Sequence, residues 1–105
     1  MRIQPLLTDA AVVEELGRRL RQTRLGQNLT QRQLAGEAGV SVPTIRNLED
    51  GKPTQLVTMI RVLRTLGMLE GLDRLVPEPV PSPIDQLKRR GRERQRASSP
   101  RPAET

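Results

Sequence analysis

The chain has 105 residues and a formal net charge of +6, and it contains no cysteine, histidine or aromatic residue. Disulfides, the common zinc and iron ligand sets, and nucleophilic catalysis by cysteine or by serine with histidine are therefore excluded. No motif arranges the carboxylates and lysines as an active site, so we predict a protein that is not an enzyme and has no cofactor or metal. An aliphatic core suits a helical bundle, whereas sheet proteins rely on aromatic and β-branched residues. The composition therefore predicts an all-α fold.

Neither a membrane span nor an export signal is predicted. No apolar run approaches the roughly 20 residues that a transmembrane helix requires. In the N-terminal stretch, Pro5, Thr8 and Asp9 interrupt the apolar residues that a signal peptide would need. We therefore predict a cytoplasmic protein that has no membrane partner and is associated with the nucleoid through its basic charge.

Residues 1–8 are predicted to form a short arm, and a first helix is expected from about Asp9 to Leu25. Thr8 or Asp9 is the expected N-cap of this helix. Four apolar residues recur at helical spacing along it and predict the side that faces the core: Val13, Leu16, Leu20 and Leu25.

Two short helical patterns follow between Leu29 and Gly51, and a glycine turn joins them. Thr30 is the expected N-cap of the first pattern, and Gln33 three residues later completes a capping box. Gly39 suits the left-handed backbone conformation that ends many helices. These signals predict a short helix that starts directly after Thr30 and stops at Gly39.

The second pattern has the same kind of start signal. Ser41 is the expected N-cap, and Val40 before it is placed to pack on Ile45 as a hydrophobic staple. The two helices are expected at about Gln31–Ala38 and Val42–Asp50. Two short helices around a tight turn constitute a helix-turn-helix, whose second helix can enter a DNA major groove.

Two further helices are predicted before the composition changes. Thr54 is the expected N-cap of the fourth helix, which runs to about Leu66 and ends at Gly67. Its predicted apolar side consists of four residues: Leu56, Met59, Ile60 and Leu63. A short fifth helix is expected near Leu69–Leu75, and Pro77 closes the domain, which therefore spans about residues 9–76.

Residues 77–105 differ in composition from the rest of the chain. Their first part, PEPVPSP, has a proline at every second position, which favours an extended polyproline conformation. Residues 82–96 contain six basic and two acidic side chains, a net charge of +4. We therefore predict a proline-rich linker, a short helix that starts at Ser82 and Pro83, and a basic tail with a disordered end.

The helix-turn-helix segment also carries a family resemblance. Its residues run Leu29-x-Gln31-x-x-Leu34-Ala35-x-x-x-Gly39-Val40-Ser41-x-x-Thr44-Ile45-x-x-Leu48-Glu49-x-Gly51. This spacing resembles that of the Xre/Cro/CI family of phage and bacterial repressors, over roughly residues 12–76. The resemblance implies a compact, lambda-repressor-like bundle of five helices that binds double-stranded DNA, usually as a homodimer.

The outer side of the third helix is the predicted site of base contact. Ile45 and Leu48 lie three residues apart and must face the core, which turns four residues to the other side: Val42, Pro43, Arg46 and Asn47. In the family, this side contacts base edges. The amide of Asn47 suits adenine and the guanidinium of Arg46 suits guanine or a phosphate, whereas the two apolar residues suit thymine methyl groups.

Four further residues complete the predicted DNA site: Gln31, Ser41, Thr44 and Lys52. The free N–H groups at the start of the second helix favour a phosphate beside Gln31, and in the family this glutamine also supports the recognition helix. For Thr44, two orientations stay open, towards phosphate or towards the second helix. Asp50 is not included, because its carboxylate would repel a phosphate.

Arg24 and Glu49 are assigned to structure. The family often pairs an arginine late in the first helix with the glutamate that ends the third, and this chain has both residues at matching positions. Arg24 is therefore predicted not to contact DNA, although it is basic.

These observations predict a sequence-specific repressor that binds a palindromic operator as a homodimer. Its dimer surface is expected on the last two helices, at Leu69, Leu72 and Leu75. The alternative is a HipB-like antitoxin that binds both operator DNA and a toxin protein, and a phage-type repressor is a third possibility. The basic tail also has two interpretations, an arm that contacts DNA or a segment that docks on a protein through Ile84 and Leu87.

Overall fold

In a computed structural model, residues 1–80, 82–84 and 87 of the chain are described. Residues 1–80 contain no strand and form five helices: α1 (Asp9–Gly26), α2 (Gln31–Ala38), α3 (Val42–Glu49), α4 (Leu56–Thr65) and α5 (Gly71–Leu75). The predicted all-α fold is confirmed. Within the described residues, no helix combines the length and the apolar character that crossing a membrane requires. Most of the predicted tail helix and the predicted disordered end lie outside these residues.

The core is built from aliphatic side chains of the first four helices. Eight residues are buried in it: Leu20, Leu34, Ala35, Ala38, Ile45, Leu48, Val62 and Leu66. α2 packs against both α3 and α4, and α1 packs against α3. The helix-turn-helix therefore forms the centre of the folded unit, which spans Met1–Leu75.

α4 differs from its prediction at both its start and its buried side. The helix begins at Leu56, with Gln55 as N-cap, and no side chain caps it, so the predicted cap at Thr54 is wrong. Met59 and Leu63 pack against the core as predicted. Val62 and Leu66, which were not predicted, are buried, whereas Leu56 is 68% exposed. The reason is that α4 is apolar on several sides, so spacing alone did not indicate which side faces the core.

The start signals of the first three helices form as predicted. The Thr8 hydroxyl accepts a hydrogen bond from the Ala11 N–H at 3.1 Å and caps α1. In the capping box of α2, the Gln33 N–H donates to the Thr30 hydroxyl at 3.0 Å, and the Gln33 side chain accepts from the Thr30 N–H at 2.8 Å. The Ser41 hydroxyl caps α3. Local hydrogen bonds thus determine where these helices begin.

α1 and α3 lie very close together at Gly17, a residue that the sequence analysis missed. Gly17 is buried, and a Cβ atom there would lie 2.9 Å from the Glu49 carbonyl oxygen and still closer to that of Leu48. Only glycine permits two backbones to come this near. The sequence did contain a signal for this close contact. A glycine in the middle of a helix is unfavourable by about 1 kcal/mol relative to alanine, so its presence there indicates a packing reason.

Positively charged groups surround Glu15 of α1, whose side chain is only 4% exposed. Its carboxylate accepts two hydrogen bonds from Arg18, at 3.0 and 2.6 Å, and one from Arg19 at 2.8 Å. Arg19 also donates to the Met1 carbonyl oxygen at 2.6 Å, so the predicted arm lies against α1. The hydrogen bonds from Arg18, and next the one from Arg19, lower the pKa of Glu15 from 4.5 to about 2.

We expect this cluster to make the folded state sensitive to acid. A carboxyl group with a lowered pKa in the folded state contributes stability above its unfolded pKa, and that contribution is lost as the pH falls from 4.5 to about 2. Thermal unfolding of the wild type and of Glu15→Gln across this range measures the effect. The melting temperature of the wild type should exceed that of the variant near neutral pH, and the difference should shrink towards pH 2. A difference that does not change with pH contradicts this account.

Candidate nucleic-acid interface

The turn of the helix-turn-helix consists of residues 39–41. Gly39 has a φ of 73°, the left-handed conformation in which a side chain would be strained, and its N–H donates to the Ala35 carbonyl oxygen. The Val40 N–H donates to the same oxygen at 3.0 Å. Ser41 then caps α3. The chain therefore changes direction in only three residues between the end of α2 and the start of α3.

One side of α3 faces the core and the other faces solvent. Ile45 and Leu48 are buried, while three of the predicted contact residues are exposed: Pro43, Arg46 and Asn47. Val42 departs from its prediction, because it is half-buried and packs against the core. It lies three residues before Ile45 and so shares the inward side of the helix.

The hydroxyl groups of Ser41 and Thr44 interact with each other at the start of α3. Their oxygens lie 2.7 Å apart, and the Ser41 oxygen also accepts from the Thr44 N–H at 3.2 Å. The Thr44 hydroxyl thus lies beside the N-cap of its own helix, and its orientation towards a DNA phosphate stays a prediction. The two hydroxyls thus form one polar group beside the exposed side of α3.

A buried ion pair connects α1, α2 and α3. Arg24 donates two hydrogen bonds to the Glu49 carboxylate, at 2.6 and 3.0 Å, and a third to the Leu29 carbonyl oxygen at 2.7 Å. The side chains of Arg24 and Glu49 are only 7% and 2% exposed. The predicted pairing is therefore present. The bidentate geometry holds the end of α3 in a defined orientation against α1.

Gln31 joins this ion pair from the start of α2. Its side-chain amide donates to the Glu49 carboxylate at 3.2 Å, which matches the supporting role that the resemblance implies. Gln31 also lines an open cleft of about 670 Å³ at the N-terminal end of α2, together with Arg21 and Arg32. Both arginines are exposed. The sequence analysis missed them, because their proximity depends on how α1 packs beside α2.

The polar side chains at the exposed end of α3 have no partners in the part of the chain that the structure describes. Among the described residues, no hydrogen bond or ion pair involves the side chains of Arg46, Asn47 or Lys52. The backbone places Asn47 and Lys52 close together, because the Lys52 N–H donates to the Asn47 carbonyl oxygen at 2.9 Å. Their hydrogen-bonding groups are therefore available to a ligand.

A family model described as a helix-turn-helix domain matches residues 15–75, which is more than half of the chain. The chain belongs to the Xre-like helix-turn-helix family. It is also similar to a protein of Sinorhizobium fredii (strain NBRC 101917 / NGR234) named HTH-type transcriptional regulator y4mF. The two are 45% identical over 64 residues, which are 60% of this chain and 82% of that relative.

Within this helix-turn-helix family, the motif is a DNA-binding unit whose second helix lies in the major groove. In the present chain that second helix is α3. The family match begins inside α1 and ends with α5, so it includes the ion pair and Gly17 as well as the motif itself. The N-terminal segment and the proline-rich region lie outside the match.

Proposed function

We propose that this protein is a sequence-specific transcriptional repressor that binds a palindromic operator as a homodimer. The observation that carries the proposal is the exposed side of α3, where Arg46 and Asn47 have no partner in the described chain. The family of the chain, the name of its relative and the net charge of +6 support it.

Base contacts are assigned to the exposed side of α3. Asn47 is suited to bind the N6 and N7 positions of adenine, and Arg46 is suited to guanine. Pro43 offers an apolar surface for a thymine methyl group. Val42 is half-buried, so it contributes at most the edge of this surface. Ser41 and Thr44, at the start of the same helix, are assigned to the adjacent phosphates.

Phosphate contacts are assigned to residues on both sides of α3. On one side, the cleft at the start of α2 combines free backbone N–H groups with Gln31, Arg21 and Arg32. On the other side, Lys52 follows the end of α3. Contacts of this kind position a protein on the duplex without selecting sequence, so selectivity is left to α3.

We propose a palindromic operator and a dimer because a single helix-turn-helix is too small to contact a long DNA site. One recognition helix contacts only a few base pairs, and two related by a twofold axis contact half-sites about one helical turn apart. A dimer bound in this way represses by covering a promoter. In the cell, such a protein would be found with the nucleoid.

Selection of duplexes from fragmented genomic DNA tests the proposal. The protein is mixed with the fragments at physiological salt, and the bound DNA is sequenced after several rounds. We expect enrichment of an inverted repeat whose half-sites are centred about 10 base pairs apart. Recovery of fragments in proportion to their abundance would reject sequence-specific binding.

Asn47→Ala is expected to weaken binding to the selected site by about 1–3 kcal/mol and to relax the preference at one base pair per half-site. Its binding to unrelated DNA should hardly change. Arg32→Ala is the contrasting control, because losing a phosphate contact should weaken all DNA alike and reduce the salt slope by about 0.9 per contact. Titrations of each variant against the selected site and against unrelated DNA, at several salt concentrations, measure these effects. An unchanged base preference in Asn47→Ala excludes this residue from base contact.

A second candidate function is that of an antitoxin that binds a toxin protein in addition to DNA. It is favoured by three exposed apolar side chains near the basic tail, on Val80, Ile84 and Leu87. Side chains of this kind are suited to dock on a protein, whereas the surrounding arginines and lysine are suited to DNA. The test is whether the product of a neighbouring gene co-purifies with this chain. Co-purification with the full chain that is lost when the chain is truncated before Pro77 supports the antitoxin function.

A further inference from the structure

Prolines alternate with other residues directly after α5, where residues 76–82 read VPEPVPS. A residue that precedes a proline is restricted to extended conformations, and the ring of proline fixes its own φ. Every residue from 76 to 82 is either a proline or directly followed by one, so the sequence favours an extended chain throughout. In the structure, residues 77–80 belong to no helix or strand, and the side chains of Val76 and Val80 are 76% and 93% exposed.

This alternation gives an extended chain two different edges. In a β-strand, the N–H and C=O groups of successive residues point to opposite edges, so every second residue shares an edge. Proline has no N–H group. One edge of residues 76–82 therefore carries the prolines and lacks donors, whereas the other carries the complete backbone groups of Val76, Glu78 and Val80. Within the described residues, neither Glu78 nor Val80 makes a hydrogen bond or an ion pair.

The spacing of the prolines favours a strand over a ligand of a polyproline-binding groove. Such grooves accept prolines that lie three residues apart, because a polyproline helix has about three residues per turn. No two prolines of residues 76–82 have that spacing. A period of two matches a β-strand instead, and proline is tolerated in an edge strand when the position of its missing N–H faces away from the sheet.

Glu78 disfavours pairing of this segment with a second copy of itself. Antiparallel pairing of residues 76–80 with the same residues of another copy would place two Glu78 carboxylates opposite each other, and like charges in that position are destabilising. A sheet of only two strands is also marginally stable in water, and the prolines on its outer edges would prevent a third strand from joining. A sheet that is already folded in another protein has neither difficulty.

We propose that residues 76–82 bind another protein by adding one strand to an open edge of its β-sheet. The backbone groups of Val76, Glu78 and Val80 supply the hydrogen bonds, and their side chains share one face of the strand. The partner therefore offers two apolar pockets with a basic or hydrogen-bond-donating group between them. Because the segment is already restricted to extended conformations, little conformational entropy is lost on binding. These residues lie outside the family match, so the inference goes beyond the proposed regulator and holds whether or not the partner is a toxin.

Val80→Pro tests the backbone pairing, with Val80→Ile as its matched control. Proline removes the N–H from the pairing edge, whereas isoleucine keeps it and favours a strand. The full wild-type chain first recovers binding proteins from an extract of the producing cells, and each recovered protein is then purified and titrated. We expect Val80→Pro to raise the Kd roughly tenfold or more, and Val80→Ile to change it little. In the complex with the wild type, the amides of Glu78 and Val80 should be protected from hydrogen exchange.

Pro79→Val gives the opposite comparison on the other edge. This substitution adds an N–H to the edge that faces away from the partner's sheet, and valine is a good strand former. We therefore expect binding to be weakened far less by Pro79→Val than by Glu78→Pro, which removes an N–H from the pairing edge. Equal weakening by these two variants contradicts pairing along one edge.

Three further outcomes would overturn the inference. Unchanged or tighter binding by Val80→Pro indicates a polyproline-binding groove instead of a sheet edge. Loss of self-association in the same variant, measured by sedimentation of the full chain, assigns the segment to a second copy. Recovery of no protein whose binding is weakened by Val80→Pro rejects a sheet partner.

DNA selection separates this inference from the proposed function, because residues 76–82 do not belong to α3 and Val80→Pro should select the same duplexes as the wild type. A chain that binds a sheet partner but selects no DNA sequence rejects only the regulator. Sequence-specific DNA binding without a partner that is sensitive to Val80→Pro rejects only the strand addition.

Discussion

Replacing Arg24 with alanine is expected to lower the free energy of unfolding by about 3–5 kcal/mol. The substitution leaves the Glu49 carboxylate, 2% exposed, without its guanidinium partner, and it also removes the donor to the Leu29 carbonyl oxygen. Only the Gln31 amide would still donate to this carboxylate, and one neutral donor does not replace the hydration that the buried charge has lost. Since small domains are stable by only about 5–15 kcal/mol, such a loss is a large fraction of the total. Chemical denaturation monitored by circular dichroism measures this change in the free energy of unfolding.

Two comparisons show whether the loss comes from the buried pair. Arg21→Ala, on an exposed residue one turn earlier in α1, should change stability by no more than about 0.5 kcal/mol. The double variant Arg24→Met with Glu49→Met should recover much of the loss, because apolar side chains replace a buried ion pair well. DNA binding by Arg24→Ala should weaken mainly through its unfolded fraction. A variant that unfolds normally yet loses DNA would show that Arg24 contacts DNA.

Gly17→Ala is expected to destabilise the protein by an amount at or above the upper end of about 1–3 kcal/mol. The added Cβ would lie within 3.0 Å of two backbone carbonyl oxygens of α3, and backbone atoms cannot turn aside as a flexible side chain can. α3 must therefore move away from α1, which also disturbs the ion pair at its end. The midpoint of urea unfolding measures the loss.

Gly36→Ala is the matched control for this substitution. Gly36 lies inside α2, and a Cβ there would meet no atom within 4 Å. Alanine favours a helix over glycine, so this variant should be more stable than the wild type by about 0.5–1 kcal/mol. Equal effects of the two substitutions would contradict the close contact between α1 and α3.

The features predicted most accurately from sequence are those that depend on local hydrogen bonds. Thr30 and Gln33 specify the start of α2, and Ser41 specifies that of α3, because a cap involves only residues within one turn. The pairing of Arg24 with Glu49 spans 25 residues of sequence, and only the family resemblance indicated it. Without that resemblance, no spacing rule connects the two.

Predictions that depended on how helices pack were less accurate. Val42 was assigned outwards because only the spacing of Ile45 and Leu48 was considered, whereas its position one turn before Ile45 places it on the same side. The cleft formed with Arg21 and Arg32 requires knowing which part of α1 lies beside the start of α2. Neither relation is contained in the pattern of a single helix.

This helix-turn-helix protein is proposed to select its DNA by sequence. The most direct measurement compares the Kd for the selected inverted repeat with the Kd for a scrambled duplex of equal length and composition, at physiological salt. We predict tighter binding to the repeat by about 10³-fold or more, the range of specific DNA-binding proteins. Equal Kd values for the two duplexes would contradict the account, because phosphate contacts alone do not distinguish sequences.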